Sequence, residues 1–154
     1  GQVAWNIRTS DRVILKERTN IRYLPANELY GDATMADLGV MDLSFISLTQ
    51  LLEPFCNLLA APKEVVLLVK PQFEVGRERV GKKGVVRDLS DRASAIMQVW
   101  QAAQTLGWQY HGLTVSPITG PAGNVEYLLW LSTAESEQQP LNLTKTKEII
   151  TKTT

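Results

Sequence analysis

The segment EVVLLVK, residues 64–70, most constrains how this chain can fold. The apolar run from Val65 to Val69 is typical of a strand buried on both faces, as in a parallel sheet covered by helices. Lys70 follows directly, and Pro71 then ends the strand because proline has no backbone N–H to donate to the ladder. The lysine therefore ends a buried strand, where it is either solvated outside the sheet or positioned for chemistry.

Strand-like and helix-like segments alternate along the 154 residues, which is the pattern of an α/β domain. The spacing of apolar residues predicts strands over 11–17, 37–43, 64–70, 110–116 and 125–131, and a helix over about 48–59. It predicts a second helix that Asp88, Ser90 or Asp91 can cap and that Gly107 ends. We expect a mostly parallel sheet with an antiparallel last strand, joined to the strand before it by a hairpin. Such sheets bind ligands at the carboxyl ends of their strands. The predicted domain spans residues 1–132, followed by a polar tail, 133–154, with a marginal helix near 144–152.

Composition excludes several classes of protein. Sixteen basic residues balance sixteen acidic ones, so the net charge gives no support for binding nucleic acid or membranes. Cys56 is the single cysteine, which rules out an internal disulfide and a zinc site with several cysteines, and we expect it to be a buried structural thiol. His111 is the single histidine, so we predict no metal site. No apolar run reaches the roughly 18–20 residues of a membrane helix and no signal peptide is visible, which favours a cytoplasmic protein with no membrane partner.

Three charged side chains stand at the ends of predicted strands. Asp42 ends the second strand, Lys70 ends the third, and Glu126 begins the last. If the last strand is antiparallel, its start lies at the same edge as the carboxyl ends of the others, and the three side chains can converge. A lysine held by carboxylates in a low-dielectric site can remove a proton from a hydroxyl. The alternative is three strand-end charges that are solvated separately, and the spacing does not decide between the two.

The loop RERVGKKGVVR, residues 77–87, carries five basic residues against one acid. Beside a cleft, such a loop would suit the phosphodiester backbone of RNA, and elsewhere it is a solvated surface loop. Its basic residues, the candidate RNA contacts, are Arg77, Arg79, Lys82, Lys83 and Arg87. The sequence contains neither GxGxxG nor GxxxxGK[ST], so it has no dinucleotide fingerprint and no P-loop.

Five blocks of sequence carry a resemblance to a known family. They are GQVAWNIR (1–8), ERTNIRYL (17–24), MDLSFISL (41–48), LVKPQFEVGRERVGKKGVVRD (68–88) and SPITGPAGNVEYLLWL (116–131). Together, and in this order, they resemble the TlyA or hemolysin A family, which belongs with the FtsJ-like ribosomal RNA 2′-O-methyltransferases. The resemblance extends over roughly residues 1–132. It implies a Rossmann-like class I methyltransferase sheet, S-adenosylmethionine as cofactor, and ribosomal RNA or a ribosomal subunit as partner.

The resemblance also implies roles for individual residues. FtsJ-like enzymes use a Lys-Asp-Lys-Glu set around the target ribose. By motif, Asp42 matches the aspartate, Lys70 the second lysine and Glu126 the glutamate. Lys70 would then act as the base on the ribose 2′-hydroxyl, with Asp42 and Glu126 positioning it. Asp42 would also contact the cofactor, and Glu17 and Asn20 would lie near its adenosine end.

The sequence departs from the family pattern at its beginning. In the family, a small S4-like RNA-binding domain, the first lysine, a glycine-rich first strand and a second strand would all precede Gly1. We therefore expect a fragment whose sheet lacks the first two strands. Such a fragment would bind S-adenosylmethionine poorly and show little or no activity, and its open sheet edge would favour self-association.

Two other functions stay open at this point. One is a membrane-active hemolysin, which the lack of a membrane span and of a strongly cationic amphipathic helix disfavours. The other is an RNA-binding module without catalysis, which would use the basic loop.

Overall fold

The computed structural model describes residues 3–152, and these contain a four-stranded sheet packed with helices. The strands are β1 (Leu38–Met41), β2 (Glu64–Val69), β3 (Gln109–Val115) and β4 (Tyr127–Ser132), in the spatial order β1-β2-β4-β3. β1 and β2 are parallel, whereas β4 is antiparallel to both of its neighbours. The first three strands therefore run in one direction and the last in the other, which confirms the predicted sheet and the β3–β4 hairpin.

The helices of the described residues differ greatly in length. They are α1 (Trp5–Arg8), α2 (Ala26–Tyr30), α3 (Leu52–Cys56), α4 (Pro71–Glu74), α5 (Leu89–Thr105) and α6 (Leu143–Lys152), with 3₁₀ turns at Ile21–Tyr23, Leu48–Gln50, Arg77–Arg79 and Lys82–Gly84. None of the helices within residues 3–152 is long and apolar enough to cross a membrane.

β2 is the strand that the sequence indicates best, and it lies between β1 and β4. Val65, Leu67 and Val69 are fully buried on one face, while the other face is half-buried. Helix α5 packs against β2 and buries six residues of its own. Of the three candidate caps, Asp88 is the one that caps this helix, because its Oδ1 accepts hydrogen bonds from two backbone N–H groups of the first turn. Gly107, at φ 85°, follows the helix in the left-handed conformation that favours glycine.

Two of the predicted elements are wrong or incomplete. Residues 11–17 form turns and extended coil instead of a strand, and Ile14 in this segment is 68% exposed. β-branched residues favour strands mainly through contacts with a neighbouring strand, and this segment has none in the sheet. The helix predicted over about 48–59 is divided into a 3₁₀ turn and the short α3, with Pro54 in the first turn of α3. Proline is tolerated there because the N–H groups of a first turn have no partner within the helix.

The polar C-terminal segment contains the predicted helix, α6, and this helix packs against α5 and β3. Ile150 in α6 and Leu141 before it belong to the main hydrophobic core. The indole N–H of Trp100 in α5 donates a hydrogen bond of 3.1 Å to the carbonyl oxygen of Leu141. The segment is thus polar in composition but anchored by a few buried contacts, and a domain boundary at residue 132 stays a prediction.

Candidate active site at the strand ends

Asp42 and Lys70 meet at the carboxyl ends of the two parallel strands. Asp42 directly follows β1 and Lys70 directly follows β2, and the two strands pair in parallel register. Lys70 Nζ lies 2.6 Å from Asp42 Oδ1 and 3.2 Å from the hydroxyl oxygen of Ser44. The lysine side chain is only 12% exposed, whereas that of Asp42 is 65% exposed. The structure therefore brings together two of the three predicted groups, with the amine largely withdrawn from water, while their catalytic roles stay predictions.

Glu126 lies at the same edge of the sheet. Val69 pairs with Tyr127 in the antiparallel β2–β4 ladder, so Lys70 and Glu126 flank the same end of that pair. Glu126 is buried, and its Oε1 accepts a long hydrogen bond of 3.4 Å from the amide of Gln72 in α4. A Cβ atom at Gly120 would lie 2.7 Å from Oε1, so the backbone approaches the carboxylate closely. Glu126 thus lies at the same end of the β2–β4 pair as Lys70 and is hydrogen-bonded to Gln72.

A buried carboxylate that sequence reasoning missed connects the two loops of the site. Glu74, in α4, accepts hydrogen bonds from the Ser47 hydroxyl at 2.5 Å and from the Leu48 backbone N–H at 2.8 Å. Burial raises the pKa of Glu74, and these two hydrogen bonds partly oppose that rise. The bonds tie the segment after Asp42 to the segment after Lys70. The sequence signal was that Glu74 stands between the apolar residues Phe73 and Val75, which indicates a buried position. A carboxylate buried there needs hydrogen-bond donors.

Phe45, which follows Ser44 in the chain, forms an exposed aromatic surface, and sequence reasoning missed this residue too. Its ring is 91% exposed and lies 5.2 Å from the ring of Phe73, centroid to centroid. Its φ of 66° is in the left-handed region, which costs a residue with a side chain roughly 1–2 kcal/mol. Both rings, Gln72 and Arg77 help to line an open cleft of about 490 Å³. An exposed aromatic ring on a strained backbone is typical of a functional position.

The five basic residues of the predicted RNA loop are all exposed. Arg77 lines the aromatic cleft, so one of the five lies at the candidate site. Arg79 lies 3.7 Å from Asp91 and is partly neutralised by it. Lys83 has a left-handed φ of 68°. The loop therefore presents a positive surface next to the cleft, and its contact with RNA stays a prediction.

The two residues predicted to lie near the adenosine of the cofactor have local partners. Glu17 accepts hydrogen bonds of 2.8 and 2.9 Å from the guanidinium of Arg8, which lowers the pKa of the Glu17 carboxyl. Asn20 accepts a hydrogen bond from the Arg22 backbone N–H and begins the 3₁₀ turn that follows. Thr19, between them, lines a cavity of about 420 Å³ along the open edge of β1. Their role in cofactor binding stays a prediction.

Cys56 and His111 offer no alternative site. Cys56 is half-buried and accepts a hydrogen bond of 3.4 Å from Lys63 Nζ. The ring of His111 packs 5.2 Å from the ring of Trp130. Within residues 3–152, no group of three His, Cys, Asp or Glu side chains could hold a metal ion.

Comparison with known proteins identifies the family. A family model described as "FtsJ-like methyltransferase" matches residues 1–133. The chain belongs to the FtsJ-like methyltransferase family. The structure agrees with this family at the level of the fold, since a crystal structure of a candidate hemolysin from Lactococcus lactis superposes with a TM-score of 0.86 at 37% identity. That superposition covers 97% of this chain and 72% of the other.

Curated relatives of this FtsJ-like chain are ribosomal RNA methyltransferases and a hemolysin. The chain is 47% identical over 133 residues to the 16S/23S rRNA (cytidine-2′-O)-methyltransferase TlyA of Mycobacterium tuberculosis, covering 86% of this chain and 48% of that protein. It is 39% identical over 131 residues to the 23S rRNA (cytidine-2′-O)-methyltransferase TlyA of Campylobacter jejuni, covering 84% and 49%. It is 32% identical over 128 residues to Hemolysin A of Brachyspira hyodysenteriae, covering 83% and 52%. The chain thus spans about half the length of the curated relatives it matches, and the resemblance to TlyA and hemolysin A proteins is confirmed.

Proposed function

We propose that this FtsJ-like chain carries the reacting edge of an S-adenosylmethionine-dependent ribosomal RNA 2′-O-methyltransferase. The observation that carries the proposal is the ion pair of 2.6 Å between Lys70 and Asp42 at the ends of two parallel strands. Glu126, at the same sheet edge, would supply the third group of the predicted set. Relatives named as rRNA (cytidine-2′-O)-methyltransferases support a cytidine ribose as the substrate. A ribosomal substrate also places the proposed activity in the cytoplasm.

The described residues fit the reacting end of the cofactor better than its adenosine end. Asp42 offers an exposed carboxylate next to Lys70, which suits a cationic or hydroxyl-bearing ligand. The sequence supplies no GxGxxG loop to cradle the rest of the molecule. S-adenosylmethionine, when bound, supplies an electrophilic methyl group. The residues of this chain would therefore act mainly on the ribose that receives this group.

Lys70 has the position of a general base. In the ion pair Lys70 is an ammonium group, so it acts as a base only after it has lost one proton to solvent. The neutral amine would then accept the proton of the ribose 2′-hydroxyl as the oxygen takes the methyl group, and Asp42 at 2.6 Å would stabilise the ammonium group that forms again. Ser44 accepts a second hydrogen bond from Nζ and fixes its direction. Glu126 accepts a hydrogen bond from Gln72, which follows Pro71 after Lys70, and would help to hold the segment that carries the lysine. A positioned base of this kind typically contributes about 10²–10⁴-fold to the rate, and the alignment of the groups contributes further.

The aromatic surface and the basic loop would hold the RNA. The exposed Phe45 ring offers a stacking surface for a base, and base–aromatic stacking contributes about 1–3 kcal/mol per base. Arg77, on the wall of the same cleft, can contact a neighbouring phosphate. The exposed lysines of the loop extend the positive surface, and such contacts weaken as salt rises because bound counterions are released.

The proposed reaction can be tested in a chimera, because the chain matches 133 residues of the M. tuberculosis relative. Residues 1–133 of this chain replace the matched segment, and transfer of a radiolabelled methyl group to ribosomal RNA is measured. We expect Lys70→Ala to lower the rate by at least about 100-fold. Lys63→Ala is the matched control, since Lys63 lies at the opposite end of β2 and donates to Cys56.

Two outcomes of this experiment would contradict the proposal. Equal rates for the Lys70→Ala and Lys63→Ala chimeras would favour an RNA-binding module without catalysis. Leakage of liposomes treated with the chimera, with no methylation of RNA, would favour the membrane-active function suggested by the name of the Brachyspira relative.

For the isolated chain we propose weak binding of S-adenosylmethionine and little or no methylation. The chain spans about half the length of its curated relatives, and its sequence lacks a glycine-rich cofactor loop. Calorimetric titration of the isolated chain checks this. We expect a dissociation constant of about 1 mM or larger, which corresponds to a binding free energy on the order of −4 kcal/mol or less favourable. A dissociation constant in the micromolar range would contradict the proposal.

We also propose that the isolated chain self-associates through β1. In the described sheet β1 is an edge strand, and Leu38 and Val40 on it are 52% and 70% exposed. Open apolar edges pair with other strands, and an edge lysine prevents this. Light scattering coupled to size exclusion should show a concentration-dependent mass that Val40→Lys reduces to that of a monomer. A monomer at every concentration would contradict this proposal.

A further inference from the structure

Asn124 is a buried side chain that no step of the proposed reaction uses. It is 3% exposed and lies in the turn between β3 and β4. Its Oδ1 accepts a hydrogen bond of 3.0 Å from the Val86 backbone N–H, and its Nδ2 donates one of 2.8 Å to the Gly84 carbonyl oxygen. One side-chain amide therefore binds a donor and an acceptor on the backbone of the basic loop.

The loop that Asn124 holds has a conformation that needs support. Lys83 and Gly84 both have positive φ, at 68° and 77°, and only the glycine adopts this region without strain. The Gly81 backbone N–H donates to the Val85 carbonyl oxygen at 3.1 Å, and the side chains of Val85 and Val86 are buried. A lysine in this region persists only where its surroundings determine the shape of the backbone. The strained residue is one of the predicted RNA contacts.

The same turn also holds the acid of the reacting edge. The Asn124 carbonyl oxygen accepts a hydrogen bond of 2.9 Å from the Gly120 backbone N–H. Gly120 in turn lies close under the carboxylate of Glu126, where a Cβ atom would come within 2.7 Å of Oε1. Asn124 thus binds the basic loop through its side chain and, through its backbone carbonyl, the turn whose Gly120 lies close to Glu126.

We propose that Asn124 is a positioning residue, which fixes Lys82 and Lys83 relative to Glu126 so that an RNA backbone bound by the loop brings its ribose to the reacting edge. The inference rests on the proposed function, because it requires the loop to bind RNA. The two side-chain hydrogen bonds of Asn124 would hold the loop in the shape that presents Lys82 and Lys83 to RNA. Asn124 itself would not contact the RNA.

The test is a double-mutant cycle on RNA affinity with fluorescein-labelled oligocytidylate as the probe. We expect Asn124→Ala to weaken binding by roughly tenfold, an ordinary coupling between interacting residues. In a Lys82→Ala/Lys83→Ala background we expect the same change to have less than about a twofold effect, because the groups that Asn124 positions are gone. Asn57→Ala, at an exposed asparagine, is the control and should leave affinity unchanged.

A second measurement, without RNA, uses hydrogen exchange at the Val86 backbone N–H. Asn124→Ala should raise this exchange rate, because it removes the acceptor of the Val86 N–H. Asn124→Asp keeps that acceptor but turns a buried charge toward the Gly84 carbonyl oxygen, which repels it and should loosen the loop, so it should raise the rate as well. The aspartate variant keeps the size of the side chain, and it replaces the alanine variant if the latter does not fold, as judged by the fluorescence of the buried Trp100 and Trp108.

The outcomes separate this inference from the proposed function. If the unmodified chain binds no oligocytidylate, the proposed function of the loop fails and the inference fails with it. If the chain binds RNA but the loss caused by Asn124→Ala is equal in both backgrounds, only the inference is overturned. Unchanged exchange at Val86 in both Asn124 variants would overturn it too.

Discussion

Replacing Glu74 by glutamine should change how stability depends on pH. Glu74 is 6% exposed and accepts hydrogen bonds from the Ser47 hydroxyl and the Leu48 N–H. Glutamine has nearly the same shape, and its amide can accept from Leu48 and donate to the Ser47 oxygen. The substitution therefore keeps both hydrogen bonds and removes the charge. It isolates the cost of burying an ionised carboxylate at the junction of the two site loops.

The direction of the effect follows from the raised pKa of Glu74, which burial lifts above its ordinary value of 4.5. A carboxyl whose pKa is higher in the folded state contributes stability below its unfolded pKa and loses that contribution as pH rises through the folded pKa. The unmodified chain should therefore lose stability relative to Glu74→Gln as pH rises above 4.5. For each pH unit between the unfolded and the folded pKa, the free energy of unfolding of the unmodified chain falls by about 1.4 kcal/mol relative to that of Glu74→Gln.

Urea unfolding, followed by the fluorescence of Trp100 and Trp108 at several pH values, measures this difference. We expect the Glu74→Gln chain to be at least as stable as the unmodified chain at neutral pH, with the difference shrinking toward acid. Glu74→Ala should instead cost about 1–3 kcal/mol or more, because it leaves the Leu48 N–H buried without an acceptor. Glu53→Gln, at an exposed glutamate of α3, is the control and should show no such pH dependence. A Glu74→Gln chain that becomes progressively less stable than the unmodified chain as pH rises would refute the reasoning.

Other substitutions test the fold around the site. Ile150→Ala in α6 should lower the free energy of unfolding by about 2–5 kcal/mol, because Ile150 is fully buried; Ile118→Ala, at a residue that is 74% exposed, should change it by less than about 0.5 kcal/mol, and equal effects would mean that α6 is dispensable. Asp88→Ala should cost about 1 kcal/mol through the lost cap of α5, whereas Asp88→Asn should be nearly neutral, as urea unfolding would show. Gly39→Ala should cost about 1–3 kcal/mol, since its Cβ would lie 2.6 Å from the Phe55 ring; an unchanged unfolding midpoint would contradict that contact.

The sheet could be predicted because its signals are local, and its topology indicated which strand-end residues could lie close together. The apolar run of β2 and the turn-like residues PITGPAGN (117–124) between β3 and β4 can both be recognised within a single short segment of sequence. Once two strands are parallel, the residues that follow them lie at the same edge. That rule made a contact between Asp42 and Lys70, 28 residues apart (70 − 42) in the sequence, one of two open alternatives, and only the structure shows their ion pair.

The supports of the site could not be predicted, because they join residues that are distant in sequence and common in type. Glu74 contacts Ser47 across 27 positions, and Asn124 contacts Val86 across 38. A serine, an asparagine or a glutamate is usually solvated, so its residue type alone does not indicate a buried partner. The burial of Ile150 was hidden in the same way, since the composition around it is that of a tail. The chemistry of a reaction limits which residue types can carry it, so candidate reactive residues can be recognised in a sequence. The residues that hold them in place are determined only by contacts in the folded structure.

The wrong strand at 11–17 has a different cause, and it bears on the open edge of the sheet. The prediction rested on the β-branched residues Val13 and Ile14, which are 39% and 68% exposed. β propensity mostly reflects packing against a neighbouring strand, so a β-branched run forms a strand only where a partner is available. Leu38 and Val40 on the edge strand β1 are also exposed, at 52% and 70%. Both observations describe apolar β-forming residues that lack a partner strand within the described residues. A strand added along β1, whether from another molecule of this chain or from a longer polypeptide, would therefore cover the edge and the cavity beside it.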